Sequence, residues 1–509
     1  MKRTLIIPAA GLATRLRPVS SSASKAMVPV NGKPTISYII DSVGKQFDDI
    51  RVVHGPHNAD LVNYINRRYP SIKLCLQEKA KGPLHAIWSA LNGNDFLSDS
   101  VVTVWLGDTI VTDYTPNAKY EIVVSPVPDY SRWCLVDSNN VYYDKPKERP
   151  PTENALVGIY TLGTLQEIYT HTEQIMLSDK TVGGEFQISQ LLAKYTTMNQ
   201  FQTKEWFDVG DLPSLYDSRA RLLQNQTRPD NSISIRNNVI TKRGDRCKGE
   251  ILWYDTINKH FPEALPYIPQ IYRSDYVSGE YEMGMCSGSS LQEIFAFEDL
   301  RDDTVEYVIN KVLNAYDEAF QPQQLLGAYI NVEYKSACQD IDKVFFEKFE
   351  RRGALTMPWT HDETYKKHIR KVKEYHENDN QIFVDAISHG DFHTGNIIFD
   401  FNTGVVKFID PRGIDASTNY FYSVYDMVKL YQSFYGDYIW IKSDCEVNQR
   451  VKTAALNTLD QWLNNNGYDV KFIKMMVPIF LGGILEFHSD RPDHQEKLLN
   501  KCMELINEN

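Results

Sequence analysis

The chain has 509 residues, 42% hydrophobic and 24% charged, with a formal net charge of −12. That length exceeds one ordinary core and implies two to three domains, and the acidic balance argues against a broad nucleic-acid or anionic-membrane surface while leaving room for local phosphate pockets. Seven cysteines without a C-x-x-C pair argue against a disulfide framework or a zinc site and fit a reducing cytoplasm.

The first apolar run, ending at Pro8, follows Lys2 and Arg3 and leads into a glycine-containing loop, so it reads as a buried first strand rather than a signal peptide. Thr4–Pro8, Ile50–His54, Ile72–Leu76, Val101–Leu106 and Tyr120–Val124 are strand-like. Ile36–Gln46 and Pro83–Leu91 between them have helical patterns. This alternation predicts a mostly parallel α/β sheet with helices on both faces and ligands at the carboxyl ends of the strands. From Leu223 to Asn231 the chain turns polar and loses its period, which places a domain boundary between 228 and 229. Short strand-like runs follow at Ser232–Lys242, Tyr267–Tyr272 and Tyr276–Met285. Helical patterns then dominate to the end, broken by a strand–loop–strand block at Ile387–Pro411. Met475–Phe487 is the most apolar stretch, but it is short and holds Pro478, so a core helix is expected rather than a membrane span. No internal repeat occurs.

Leu5–Pro18 carries a strand into a turn at Ala10 and Gly11 and then the basic pair Arg15 and Arg17. Small residues admit backbone N–H groups close to phosphates, and arginine can fork two oxygens. Ser24–Pro34 continues with Lys25 and the run Val-Pro-Val-Asn-Gly-Lys-Pro. Together these segments resemble the signature of sugar-phosphate nucleotidyltransferases, G-x-G-T-R-L followed by P-K-x-M-x-P-V-x-G-K-P, with Ala13 at the second glycine and Ser24 at the proline before the lysine. The resemblance covers residues 1–222 and implies a Rossmann-like domain. It implies that Ala10, Gly11, Gln77 and Gly82 bind the nucleotide, that Asp108 and Asp208 hold Mg²⁺, and that Lys145, Gly158 and Glu185 contact the acceptor. It further implies that Arg15 and Lys25 stabilise charge on the α-phosphate. Because a glutamine amide offers both a donor and an acceptor, Gln77 favours a pyrimidine triphosphate.

Ser388–Asp400 reads Ser-His-Gly-Asp-Phe-His-Thr-Gly-Asn-Ile-Ile-Phe-Asp, with Asp391 and Asn396 five apart, and Val405–Pro411 brings Asp410 to a strand end. That spacing suits a base aimed at an acceptor hydroxyl and an amide oxygen aimed at Mg²⁺. The pattern H-G-D-x-H-x-x-N … I-D-P resembles aminoglycoside and choline kinases. It implies a bilobal protein-kinase-like α+β domain, with Asp391 catalytic and Asn396 and Asp410 as metal ligands. By the same resemblance Lys242, with Lys248 as competitor, and Glu250 form the phosphate-binding pair, and Met283 lies in the adenine-binding hinge. No glycine-rich loop precedes Lys242, so Ser234–Asn238 is left to cover the phosphates. His389 and His393 read as supports of the loop, and Asp426 as a helix brace.

The combination implies a cytoplasmic bifunctional enzyme using ATP, a second NTP (CTP or UTP favoured) and Mg²⁺. It would phosphorylate a sugar or polyol and join the phosphate to a nucleotide for surface polysaccharide synthesis, with homo-oligomerisation left open. One alternative is a choline kinase fused to a phosphocholine cytidylyltransferase, in which an amino alcohol is held by an aromatic cage of Trp133, Tyr142 and Tyr143. Against it, Ile409–Gly413 departs from the choline kinase pattern and Arg412 is a poor neighbour for a cation. A second alternative is a kinase-like module that only senses a nucleotide. A third is an antibiotic-modifying kinase, in which the first domain has no role.

Overall fold

The structure is a computed structural model describing residues 2–11, 14–16, 24–91, 99–224, 232–236, 238–298, 300–320, 346, 349–351, 357–379, 388–412 and 423–508. The chain forms two compact units, Met1–Leu223 with Phe297–Asp299, and Gln224–Ala296 with Leu300–Asn509. The boundary expected between 228 and 229 lies outside the described residues, as do Ala13, Arg17, Ile387 and Gly413.

The strands of the first unit are β1 (Arg3–Pro8), β2 (Pro29–Val30), β3 (Lys33–Pro34), β4 (Asp49–His54), β5 (Lys73–Leu76), β6 (Val101–Trp105), β7 (Thr109–Val111), β8 (Glu121–Pro126), β9 (Cys134–Val136), β10 (Tyr142–Asp144), β11 (Asn154–Thr164), β12 (Asn199–Gln202) and β13 (Trp206–Asp208). Leu5, Ile6 and Ile7 of β1 are fully buried, as expected for a strand covered on both faces. β1 runs parallel to β4 and β6, and β4 parallel to β5. The sheet continues in the order β10-β9-β11-β6-β1-β4-β5, with β8 alongside β11 and β12 parallel to β8.

The mostly parallel sheet expected from the sequence is corrected here, because the sheet is mixed. β11 is antiparallel to β6, β8 and β9, and β9 to β10. The segments joining β8 to β11 contain no crossover helix, and short connections can return a strand only antiparallel. Between the parallel strands the helices Thr35–Val43 and Pro83–Leu91 form where their periodicity predicts, the first closing in a 3-10 turn at Gly44–Gln46.

The second unit opens with β14 (Ser232–Arg236), β15 (Val239–Arg243), β16 (Ile271–Asp275) and β17 (Glu280–Gly284), an antiparallel sheet in the order β14-β15-β17-β16. The single strand expected over Ser232–Lys242 is instead the β14–β15 hairpin. Asn238 takes a left-handed φ of 62° at its turn, a conformation asparagine tolerates. Likewise Tyr267–Tyr272 is split between a 3-10 turn at Pro262–Tyr267 and β16, and the run from Tyr276 becomes a strand only at Glu280, after Gly279 at φ 64°. The helix Cys247–His260 covers this sheet, sharing one buried cluster with Tyr281 and Met283.

Long helices follow, among them Asp302–Phe320, Trp359–Asp379, Ser423–Tyr435, Gln449–Asn465, Val470–Gly483 and Pro492–Glu508. Asp302–Phe320 packs on a small sheet of β18 (Ser289–Ser290), β19 (Ile397–Asp400) and β20 (Val405–Phe408), and the other helices share its buried cluster. Met475–Gly483 of the helix Val470–Gly483 is buried on every side, which explains why that stretch is apolar without interruption. No helix among the described residues is long and apolar enough to cross a membrane.

Candidate functional site

In the first unit, loops converge at the carboxyl ends of β1 and β6. Ala9 N donates to Val53 O at 2.9 Å, Gly107 N to Pro8 O at 3.1 Å, and Lys25 N to Gly11 O at 3.3 Å. A Cβ on Gly107 would meet Ala9 Cβ, Ala26 Cβ and Pro8 O at 3.2 Å each, so glycine is what lets these segments approach. Ala10 is buried, with its carbonyl 3.2 Å from His57 Nε2. A Cβ on Gly11 would meet nothing within 4 Å. Arg15 is exposed on the 3-10 turn Thr14–Leu16.

The antiparallel pairing of β7 with β13 sets Asp208 opposite Thr109, and Val209 N donates to Asp108 O at 3.1 Å. Residues a hundred positions apart thereby bring two carboxylates to one place. Lys25 Nζ forms an ion pair with Asp108. Burial lowers the affinity of Lys25 for its proton, but Asp108 and then Asp208 outweigh it and raise the pKa. Burial, and next the charge of Asp108, push the Asp208 carboxyl up to about 6. Asp208 Oδ1 accepts from Gly210 N at 3.2 Å, while the buried Oδ2 has no hydrogen-bond partner. An orphaned carboxylate oxygen beside a second carboxylate fits the hard, oxygen-seeking character of Mg²⁺.

Gly82 (φ 103°) presses against the Glu185–Phe186 segment, where a Cβ would meet Phe186 O at 2.7 Å and Glu185 Cβ at 2.9 Å. Phe186 N donates to Lys81 O at 2.9 Å, so the proposed base-binding and acceptor-binding segments are stitched together. Gln77 differs from expectation. It is 4% exposed, and its amide nitrogen lies 3.3 Å from Gly82 O and 3.0 Å from His85 Nδ1. Its N–H groups hold the loop, and the two-edged pairing with a pyrimidine is not presented in this conformation. Gly158 (φ 102°) sits at a register shift of β11 beside Leu106 and Thr109, and its carbonyl accepts from Leu106 N at 2.9 Å. Lys145 is exposed, with a left-handed φ of 45° held by Lys145 N donating to Trp133 O at 3.0 Å.

The three-ring cage is corrected. Tyr142 and Tyr143 are successive residues of β10 and therefore point to opposite faces of the sheet. Tyr142 packs on the core that contains Val136 and Tyr160, whereas Tyr143 lies with Trp133 on the cluster of Val127, Leu135 and Ala155. Trp133 meets Trp206 edge to face at 4.8 Å.

In the second unit, the β19–β20 pairing brings the Asp391–Asn396 loop against Asp410, with Ile409 N donating to Asn396 O at 2.9 Å. Asn396 Nδ2 donates to Asp391 O at 2.9 Å and lies 3.4 Å from Asp391 Oδ2, which leaves the amide oxygen for a cation. Asp410 has a left-handed φ of 54°; a non-glycine residue held there marks a position the surroundings over-determine. Lys242 Nζ, with a side chain 8% exposed, lies 3.2 Å from Glu250 Oε2 and pairs with Asp410. Burial opposes the charge on Lys242, but the two carboxylates raise its pKa. Lys248 instead pairs with fully exposed Asp245, so of the two lysines only Lys242 is buried among carboxylates. Met283 is 3% exposed inside β17, paired with Ile240 and Ile271. Its side chain is therefore core, and the segment leaving the strand begins after Gly284.

Two residues gain roles that the sequence did not suggest. Lys429 is nearly buried, with Nζ 3.2 Å from Asp391 Oδ1. Burial pushes the Asp391 carboxyl up, but Lys429 and His393 pull it well below the usual carboxylate range. A lysine within the buried side of the helix Ser423–Tyr435 was the available signal. Asp426, three residues earlier on that helix, supports the loop rather than a helix. Its carboxylate accepts from His389 N at 2.6 Å, Gly390 N at 2.8 Å and Tyr316 Oη at 3.0 Å. Burial, opposed by these donors, moves its pKa to about 7. Burial also lowers both histidines, His389 to about 4 and His393 to about 3. His389 Nε2 lies 2.9 Å from Ile409 O, and His393 Nδ1 accepts from Gly395 N at 3.0 Å, which is the support role expected. Asp391, Asp410, Glu250 and Lys429 line one cavity of about 1160 Å³.

Residues 4–225 match the family model described as Nucleotidyl transferase. The first unit thus carries a nucleotidyl transferase domain. Among relatives of this domain, the bifunctional protein GlmU of Methanococcus maripaludis is 28% identical over 257 residues, covering 47% of this chain and 60% of that protein. The UTP–glucose-1-phosphate uridylyltransferase of Bacillus subtilis is 28% identical over 263 residues, covering 41% of this chain and 87% of that protein. A solved structure of UTP-bound UGPase from Acinetobacter baumannii aligns at 19% identity and a TM-score of 0.36, covering 45% of this chain and 95% of that one.

Proposed function

We propose that residues 229–509 phosphorylate the hydroxyl of a small molecule with ATP. Residues 1–228 then transfer a nucleotidyl group from CTP or UTP to the resulting phosphate and release pyrophosphate. The product is an NDP-activated building block for surface polysaccharide. The observation that carries the kinase half is that Asp391, Asp410 and Glu250 line one cavity, with Asn396 hydrogen-bonded to Asp391 and buried Lys242 paired to Glu250 and Asp410. In this reading Lys242 holds ATP phosphates and Asp391, kept ionised by Lys429, accepts the proton of the attacking hydroxyl. Asn396 and Asp410 are the residues that would hold Mg²⁺.

In the first half, Lys25 and Arg15 stabilise charge at the α-phosphorus while the acceptor phosphate attacks and pyrophosphate leaves. Asp108 and Asp208 are the residues that would hold Mg²⁺, and Lys145, Gly158 and Glu185 would face the acceptor. Mg²⁺ at either site supplies neutralisation of phosphate oxygens. The name of the Bacillus subtilis relative specifies UTP and glucose 1-phosphate, which supports UTP and a sugar phosphate for this domain over phosphocholine. The separation of Tyr142 from Tyr143 removes the cage that the choline reading used.

The test is mass spectrometry of a reaction holding the full chain, Mg²⁺, ATP, mixed CTP, UTP, dTTP and GTP, and pooled sugars, polyols and amino alcohols. An ATP-dependent nucleotide-diphosphate product is expected, and Asp391→Asn should abolish it. Product formed only from supplied phosphate esters would retain the first half and remove the sequential kinase. An Asp391→Asn variant that phosphorylates as well as the parent would remove the assignment of Asp391.

A further inference from the structure

Ser24, which stands where the nucleotidyltransferase signature has proline, has a counterpart elsewhere in the first unit. It is buried and takes φ −65° and ψ 150° as it leads into the 3-10 turn Lys25–Met27. That φ is the one to which a proline ring would lock it, but a serine has no ring to hold the angle. What meets it is the carboxylate of Asp60, in the first turn of the helix Ala59–Arg68. Ser24 N donates to Asp60 Oδ2 at 2.7 Å, and Ser24 Oγ lies 3.1 Å from Oδ1 and 3.0 Å from Oδ2. Hydrogen bonds to an ionised acceptor are short and strong. The loop that delivers Asp60 is itself tied. Asn58 is buried, its Oδ1 accepts from Gly55 N at 2.7 Å, and its N–H donates to Gly55 O at 3.2 Å. A Cβ on Gly55 would meet His57 Cε1 at 2.8 Å, so glycine lets His57 fold back, and His57 Nε2 lies 3.2 Å from Ala10 O. One short loop after β4 thus meets the chain at Ala10 and again at Ser24, on either side of the stretch that carries Arg15.

We propose that Asp60 is a positioning residue for nucleotidyl transfer: its carboxylate fixes the Ser24 backbone at a proline-like φ and thereby sets the direction of Lys25. The inference rests on the reading above that Lys25 meets the α-phosphate, and adds to it a residue outside the signature segments. Lys25 N donates to Gly11 O at 3.3 Å, and Lys25 Nζ pairs with Asp108. A rotation at Ser24 therefore moves the loop contact and the ammonium together. A displacement of about 1 Å at a group that meets charge in the transition state costs up to about a hundredfold in rate. Asp60 touches no substrate in this scheme and acts through Ser24.

The experiment is a double-mutant cycle in the full chain with two readouts. One is hydrogen exchange of the peptide holding residues 24–28 without nucleotide. The other is the dissociation constant of Mg²⁺-UTP and of Mg²⁺-CTP, each by calorimetry. Asp60→Ala should speed the exchange and weaken whichever triphosphate the parent binds more tightly by about tenfold, the order of one lost charge-assisted bond. Asp60→Asn keeps a carbonyl oxygen for the Ser24 N–H and should stay within about threefold of the parent. Ser24→Pro alone sets a ring carbon where the N–H now points, against an oxygen 2.7 Å from that nitrogen, and should do as much damage as Asp60→Ala. In the double variant the ring has room and fixes φ by itself, so binding and protection should return to within about threefold of the parent. A double variant weaker than both single ones overturns the proposal, as does an Asp60→Ala variant that binds and exchanges like the parent. Peptides of β6 and β8 should keep their protection throughout; loss there in Asp60→Ala would make Asp60 a support of the whole domain and overturn its assigned role. If the parent binds neither triphosphate, the α-phosphate reading of Lys25 fails, while the exchange cycle still decides whether Asp60 sets the Ser24 backbone.

Discussion

Removing the Asp426 carboxylate should loosen the 388–400 segment of the second unit without touching the first. Asp426 is fully buried and satisfies three donors, His389 N, Gly390 N and Tyr316 Oη, all themselves buried. Asp426→Asn keeps one carbonyl oxygen, which can still serve the His389 and Tyr316 donors, but turns an amino group toward the Gly390 N–H. One buried donor then faces another donor, which costs about 1–3 kcal/mol. Asp426→Ala strands all three donors, and at about 1–3 kcal/mol each, less what entering water recovers, the loss is about 3–6 kcal/mol. Because the chain has two units, whole-chain unfolding is not a single transition. Urea titration read by pulsed hydrogen exchange separates the units peptide by peptide. The 388–400 peptides should lose protection at lower urea in the order parent, Asn, Ala, while peptides of β1 and β4 hold their midpoint. An Ala variant whose 388–400 midpoint stays within about 0.5 kcal/mol of the parent, the usual range of a neutral surface change, would refute the idea that this carboxylate carries the loop.

The Asp208 carboxyl, raised to about 6 by burial and Asp108, binds a proton in the folded domain between roughly pH 4 and 6 that the unfolded chain has released. In EDTA its contribution to stability should therefore fall as pH rises through that window, and the parent-minus-Asp208→Asn difference in urea midpoint should show that sign; a difference that grows with pH counts against it. Lys242→Met leaves the partly buried Glu250 facing Asp410 without a cation and should cost about 3 kcal/mol, whereas Lys248→Met, removing an exposed pair, should stay within about 0.5 kcal/mol. Equal effects in thermal melts would mean that the selection of Lys242 is mistaken. Gly82→Ala combines a φ of 103° with a Cβ 2.7 Å from Phe186 O and should destabilise the first unit by about 1–3 kcal/mol, while Gly11→Ala, which meets nothing, should be far milder; the comparison is one pair of denaturation curves.

Much of this protein is legible in the residues alone. Runs such as Leu5–Ile7 fix buried strands because no other element hides consecutive apolar residues so economically, and the periodicity of Pro83–Leu91 marks its helix. The Asp391–Asn396 spacing likewise determines a compact loop, since backbone reach over five residues leaves few alternatives. Pairing partners were not legible. Whether β11 runs with or against β6 depends on connections and neighbours rather than on its composition, and Asn238, at a left-handed φ, marks a hairpin turn that the β-branched residues around it concealed. The charges show the same division. Sequence supplies Asp108, Asp208, Lys242 and Lys429, but only the fold brings Asp208 to Asp108 through the β7–β13 ladder, chooses Lys242 over Lys248 by burying it beside Glu250, and lays Lys429 on Asp391. Local propensity acts over a few residues, whereas electrostatic partnership depends on distance in space, and that distance exists only once the long-range contacts have formed.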